Sequence, residues 1–203
     1  MNRHADLCGV ILAGGKSARM GRNKALIEIH GVPLIRHLAD MLLSLTDHVI
    51  VSANNRAPYD FLGLPVVADI FPGQGPLAGL HAAMLDSPLQ FFLLVACDMP
   101  RVHPALLSRL VDLCPGNDAV VPRSSTGRVH PLCALYRRTC LETVEQYLKG
   151  SLNRFTALME NRSLRVRWLT AEEGCFTEDD LCNLNNPNDL FNFQYSRPVR
   201  TEE

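Results

Sequence analysis

Apolar and polar positions come in blocks whose period switches between strand-like and helix-like along the chain. Cys8 to Ala13 is a short unbroken apolar run that ends in Gly14-Gly15, the pattern of a buried strand followed by a turn. Pro33 opens a stretch in which Leu34, Ile35, Leu38, Met41, Leu42 and Leu45 recur at spacings of three and four, which predicts a helix. His48 to Ala53 and Pro65 to Asp69 read as strands, and Gly79 to Leu85 as a helix. Gln90 to Cys97 is the most hydrophobic run and predicts a central strand; a helix beginning at Pro104 follows, through Leu113. Asp118 to Pro122, Pro131 to Tyr136 and Leu164 to Leu169 predict further strands, with helices near Arg138 to Leu148 and Arg154 to Met159.

This alternation predicts an α/β fold, a mainly parallel sheet sandwiched by helices with right-handed crossovers. Such sheets bind ligands at the carboxyl ends of their strands. The residues to inspect are therefore those that follow Ala13, Ala53, Ala68 and Cys97. No internal repeat interrupts the pattern, and residues 1–191 read as one domain. From Asn192 the periodicity is lost, so 192–203 is expected to fray.

Composition narrows the function classes. The 203 residues carry 20 Lys+Arg against 21 Asp+Glu, a net charge of −1 that lacks the basic footprint of a dedicated nucleic-acid binder. The apolar runs fall far below the roughly 20 residues needed to span a bilayer. The first six residues lead straight into the first strand without the pattern of a signal peptide. Cys8, Cys97, Cys114, Cys133, Cys140, Cys175 and Cys182 form no C-x-x-C pair. Reduced thiols in a cytoplasm are therefore expected, with no membrane or nucleic-acid partner.

The average conceals sorted charges. Only Lys16, Lys24 and Lys149 are lysines, and no acid lies between Asp6 and Glu28, where Lys16, Arg19, Arg22 and Lys24 cluster. That cluster sits in the loop after the first strand, Leu12 to Lys24. Adjacent glycines let a backbone turn sharply and aim N–H groups at an anion, while the basic side chains add charge. An ordinary strand-to-helix turn with solvated arginines is the alternative. The loop is not a P-loop, because Val10 stands where G-x-x-x-x-G-K-[ST] needs its first glycine. Nor is it G-x-G-x-x-G, since Gly14 and Gly15 are adjacent and position 18 is alanine.

Two acids end predicted strands. Asp98 closes the most hydrophobic one, and a carboxylate left there without a partner would cost several kcal/mol on the order-of-magnitude scale. It reads either as a helix cap ahead of Pro104 or as a hard-oxygen Mg²⁺ ligand whose remaining positions phosphates and water fill. Asp69 precedes a loop with Gly73, Gly75, Pro76 and Gly79, and either stabilises that turn or faces a ligand. A second acid-free window, 119–141, holds Arg123, Arg128, His130, Arg137 and Arg138. It is either a solvated basic surface or a dock for an anionic acceptor. His4, His30, His37, His48, His81 and His103 show no ligand spacing and read as surface or structural.

The ordered string L-A-G-G-x-S-x-R-M-G-x-x-K, ending at Lys24, closely resembles nucleotidyltransferases, and in detail the molybdenum cofactor guanylyltransferase family. The likeness continues in Gly75-Pro76-Leu77-Ala78-Gly79, Cys97-Asp98-Met99-Pro100, His130-Pro131-Leu132 and the closing segment Asn183 to Leu190. It implies a Rossmann-like nucleotidyltransferase (GT-A-like) fold and transfer of GMP from GTP to the phosphate of molybdopterin, releasing pyrophosphate. By the same resemblance Leu12, Ala13, Gly14, Gly15 and Asp69 contact the nucleotide. Lys24, Lys16 and Arg19 neutralise its phosphates, and Asp98 holds Mg²⁺, or Mn²⁺ in its place. Receiving molybdoenzymes or their chaperones are implied partners. Three positions depart from the pattern: Asn23 for an aspartate, Ser52 for a nucleotide-contacting asparagine, and Asn186 for a threonine. Asn54 or Asn55 could stand in for Ser52, and Asn183 and Asn185 could reach metal or phosphate, or cap a helix begun at Pro187. A relative that uses CTP or a sugar phosphate acceptor remains open, as does a non-catalytic adaptor that carries the cofactor.

Overall fold

A computed structural model describes residues 4–14, 23–173, 176–184 and 189. The strands are β1 (Leu7–Leu12), β2 (Glu28–Ile29), β3 (Val32–Pro33), β4 (His48–Ser52), β5 (Val66–Val67), β6 (Phe91–Ala96), β7 (Ala119–Arg123), β8 (Cys133–Arg137) and β9 (Val166–Thr170). The helices are α1 (Leu34–Leu43), α2 (Pro76–Asp86), α3 (Pro104–Asp112), α4 (Leu141–Lys149) and α5 (Phe155–Glu160). Seven strands form one sheet in the order β5-β4-β1-β6-β8-β7-β9. Every pairing is parallel except those of β8, which runs against both β6 and β7.

The unbroken apolar runs of β1 and β6 follow from burial on both faces. Leu7 and Ile11 face one core layer with Ile35, Leu38 and Leu42 of α1 and Leu106, Leu107 and Leu110 of α3. Cys8, Val10 and Leu12 face the other, with Leu80 and Met84 of α2, Val144 and Leu148 of α4 and Leu158 of α5. Side chains alternate across a strand, so a central strand covered on both sides has no polar position to spare.

The sheet thus has the sandwiched, mainly parallel architecture that the alternation predicts. Pro33 lies one residue before α1, as its N-cap, and closes a small β2–β3 hairpin that the pattern did not predict. Its turn residues His30 and Gly31 both take positive φ, 52° and 78°, as a two-residue hairpin turn of the primed type requires. Short 3-10 turns at Lys24–Leu26 and Ala57–Leu62 were also not predicted, being too short for a periodic signal. Among the described residues no helix is long and apolar enough to cross a membrane.

Candidate active site at the carboxyl edge of the sheet

Register builds the site. Val67 pairs with Ser52, Ser52 with Leu12, and Leu12 with Ala96, so four parallel strands stop in one row. Two residues beyond that row stand Asp69, Asn54, Gly14 and Asp98, in the order β5, β4, β1 and β6. Asp69 and Asp98, 29 residues apart in the chain, are therefore brought to one strip of sheet edge, with β4 and β1 between their strands. Strands lie about 4.8 Å apart, so β5 and β6 are roughly 14 Å from each other. Asp69 and Asp98 consequently serve opposite ends of anything laid along the row.

Asp98 has the partner that a carboxylate at the end of so apolar a strand requires. Lys24 Nζ lies 3.1 Å from Asp98 Oδ2, and the two side chains are only 18% and 17% exposed. The Asp98 carbonyl in turn accepts from the Leu184 N–H at 2.7 Å. The closing segment thereby reaches the site, and Leu184 buries itself with Ile27, Ile29 and Leu34 beside the Lys24 turn. Asn183 is described and half-buried; Asn185, Asn186 and Pro187 lie outside the described residues, as do Gly15, Lys16 and Arg19.

The stem of the glycine-rich loop is held from β4. Ala13 N–H and Gly14 N–H both donate to the Ser52 carbonyl, at 3.0 and 3.1 Å. Ser52 Oγ faces α2: a Cβ added at Gly79 would lie 2.5 Å from it and 2.6 Å from Leu12 Cδ2. Gly79 is therefore what lets the first turn of α2, with its positive dipole end, rest on the ends of β1 and β4. The second carboxyl-edge acid is fixed by Asn54, whose Nδ2 donates to Asp69 Oδ2 at 3.0 Å while its Oδ1 accepts from Asp69 N–H at 2.9 Å. Asn54 is thus committed to holding Asp69.

One further residue, Tyr59, entered through no sequence signal, and it joins Asn23 to the stem of the loop. Tyr59, buried in the 3-10 turn Ala57–Leu62, donates its hydroxyl to the Ala13 carbonyl at 3.0 Å and accepts from Asn23 Nδ2 at 2.9 Å. Burial pushes the Tyr59 phenol up, against the lowering effect of the Asn23 bond. Asn23 Oδ1 accepts from Ala25 N–H at 3.1 Å and so caps the turn that carries Lys24. Burial likewise pushes the Cys97 thiol, beside Asp98, up to about 12. It is no nucleophile at neutral pH.

The second basic window is divided by the reversal of β8. Arg123 ends β7 at the site edge, its guanidinium 5.8 Å from the Trp168 ring. Arg137 pairs with Phe91 at the opposite edge. There Arg138 donates to the carbonyls of Met84 (2.8 Å), Leu89 (3.1 Å) and Ser87, closing the end of α2. Arg137 and Arg138 therefore cannot help dock an acceptor beside Asp98.

Lys24 and Asp98 thus stand outside the carboxyl ends of the parallel strands, where open α/β sheets bind their ligands. The chain belongs to the MobA-like NTP transferase domain family, whose model matches residues 9–165. It is 36% identical over 90% of its length to a probable molybdenum cofactor guanylyltransferase of Pelotomaculum thermopropionicum, covering 89% of that protein. A counterpart from Carboxydothermus hydrogenoformans is 34% identical, over 91% of this chain and 93% of the relative. In fold it is similar to molybdopterin-guanine dinucleotide biosynthesis protein A from Archaeoglobus fulgidus, with a TM-score of 0.74 at 23% identity, covering 92% of this chain and 96% of that one.

Proposed function

We propose that this chain transfers GMP from GTP to the phosphate of the molybdopterin form of the molybdenum cofactor, making the guanine dinucleotide form. An acceptor phosphate oxygen attacks the α-phosphorus in line, the new O–P bond forms as the bond to the β-phosphate oxygen breaks, and pyrophosphate leaves. The observation that carries the reading is the Lys24–Asp98 pair at 3.1 Å, set at the strand edge beside Gly14 in a chain a third identical to guanylyltransferases over nine-tenths of its length.

Such a transfer asks for positioning and charge neutralisation more than covalent chemistry. The main chain of Leu12, Ala13, Gly14 and Gly15 would hold the nucleotide, with Asp69 at its other end. Lys24, Lys16 and Arg19 would neutralise the triphosphate. Among the described residues no three His, Cys, Asp or Glu side chains gather into a metal cage. A single half-buried carboxylate suits instead Mg²⁺, or Mn²⁺, which takes one or two protein oxygens and completes its shell with substrate phosphates and water. Asp98 would hold that ion, which when bound supplies charge stabilisation at the reacting phosphorus. We place the reaction in the cytoplasm, with a molybdoenzyme or its chaperone receiving the product.

The test is pyrophosphate release with molybdopterin as acceptor and each of the four ribonucleoside triphosphates in turn, with Mg²⁺ present. GTP should be turned over at least tenfold faster than CTP. Equal turnover of CTP would overturn the guanylyl assignment, and no release with any triphosphate would leave only a carrier.

A further inference from the structure

The geometry points to Tyr59 as a positioning residue for nucleotide binding: its hydroxyl holds the Lys24 turn against the end of β1. The inference rests on the proposed triphosphate site and extends it to a residue outside the recognisable motifs. Residue 13, whose chain leads into Gly14, and residue 23, which caps the turn carrying Lys24, are bridged by one buried phenol. Hydrogen counting fixes the direction of the bridge. Ala25 N–H can only donate, so Asn23 presents Oδ1 to it and must turn Nδ2 toward Tyr59. The Tyr59 oxygen therefore accepts from Asn23, and its single proton is left for the Ala13 carbonyl, at 3.0 Å.

The relay runs Asn23 to Tyr59 to Ala13, and every buried polar group in it is paired. A carboxylate at position 23 would be acceptor-only. It would compete with the Ala13 carbonyl for the one phenolic proton, and one of the two would go without. Asn23 thus works with Tyr59 as a pair rather than as a weakened aspartate. Lys24, next in sequence, takes its place opposite Asp98 from the turn this relay anchors.

Tyr59→Phe keeps the buried ring and removes only the hydroxyl. GTP affinity by calorimetry and the steady-state constants for GTP and for molybdopterin are compared with wild type. Melting curves confirm that each variant is folded at the assay temperature. The expected result is a KM and Kd for GTP raised about tenfold, with the KM for molybdopterin changed less than twofold. Asn23→Asp should also weaken GTP binding, and Asn23→Asp/Tyr59→Phe should be no worse than Tyr59→Phe alone, because the relay is already broken. Asn23→Ala, at a half-exposed position, carries the same comparison if Tyr59→Phe does not fold. An unchanged GTP affinity in Tyr59→Phe, or losses that multiply in the double variant, would overturn the inference and leave the proposed function standing. Wild type that binds no triphosphate would overturn both. If it prefers CTP, only the guanylyl reading fails, and the same ratios are read with CTP.

Discussion

Gly79→Ala tests how tightly the site depends on the seat of α2. The helix alone would gain, since replacing an interior glycine by alanine is worth about 1 kcal/mol. Against that, the new methyl would stand 2.5 Å from Ser52 Oγ and 2.6 Å from Leu12 Cδ2, with Ser52 Cβ at 3.4 Å. Both neighbours are side-chain ends, but neither has room to swing: Ser52 is 3% exposed and Leu12 6%. Overpacking of that kind costs about 1–3 kcal/mol. With two contacts under 3 Å the upper part of that range applies, about 2–3 kcal/mol. Overpacking therefore outweighs the helix gain, leaving the variant about 1–2 kcal/mol less stable and lowering its Tm by roughly 2–8 °C for a chain of this length. Urea denaturation measures the first and calorimetric melting the second. Because α2 rests on the strand ends that carry Gly14 and Asn54, GTP affinity should fall in parallel. Ser52→Ala should relieve part of the loss in the double variant, since it removes the atom at 2.5 Å, while Leu12 retains the rest. If Gly79→Ala is as stable as wild type, helix propensity outweighs contact here and the close approach does not constrain the fold.

Three other outcomes are expected. Asp98→Ala should lower Mg²⁺-supported turnover at least about a hundredfold while the variant stays folded at the assay temperature, the loss of a mostly buried ion-pair partner costing about 1–3 kcal/mol. Near-normal turnover would remove Asp98 from the metal. His81 is buried with neither ring nitrogen hydrogen-bonded among the described residues, and burial holds it below its ordinary 6.5, with Glu145 opposing and Lys149 assisting. The unfolded chain therefore binds the proton first, and stability is full above pH 6.5 and lost as pH falls below it. The slope cannot exceed about 1.4 kcal/mol per pH unit for one group. His81→Leu should flatten the acid limb of a urea-stability profile, leaving the smaller share of His130, whose buried imidazole is shifted the same way. An unchanged limb would show that His81 does not titrate there. Asp118→Asn should cost about 1–3 kcal/mol in urea denaturation, because the buried carboxylate accepts from Thr139 Oγ1 at 2.7 Å and Arg165 N–H at 2.9 Å, tying β7, β8 and β9 together. A loss below half a kcal/mol would make that junction dispensable.

The sheet was legible because its strands are buried on both faces. An apolar run such as Gln90 to Cys97, too short for a helix and ended by an acid, has few other readings, and the ends of parallel strands then name the site edge. What stayed hidden was set by tertiary geometry. Pairing Lys24 with Asp98, 74 residues apart, needs β1 beside β6, a neighbour relation that no local spacing encodes. Tyr59 sits in a turn of six residues with no periodicity and counts only through the atoms that it bridges. Ser52 and Asn54 show the same limit. The sequence marked a substituted serine and a nearby asparagine, while the structure assigns the serine's carbonyl to the loop stem and the asparagine to Asp69.

The two acid-free windows show most plainly why linear charge misleads. Of the first, Lys24 stands at the strand edge opposite Asp98, while Lys16, Arg19 and Arg22 lie outside the described residues. The second is divided, because β8 runs antiparallel and carries its basic residues from one edge of the sheet to the other. Arg137 pairs with Phe91 at the amino end of β6, five steps before Ala96 and so about 17 Å by strand rise from the edge where Asp98 stands. At that separation exposed charges are screened at physiological salt, where the Debye length is about 8 Å. An anion beside Asp98 would therefore meet Arg123, and not Arg137 or Arg138, although all three belong to one basic stretch of sequence.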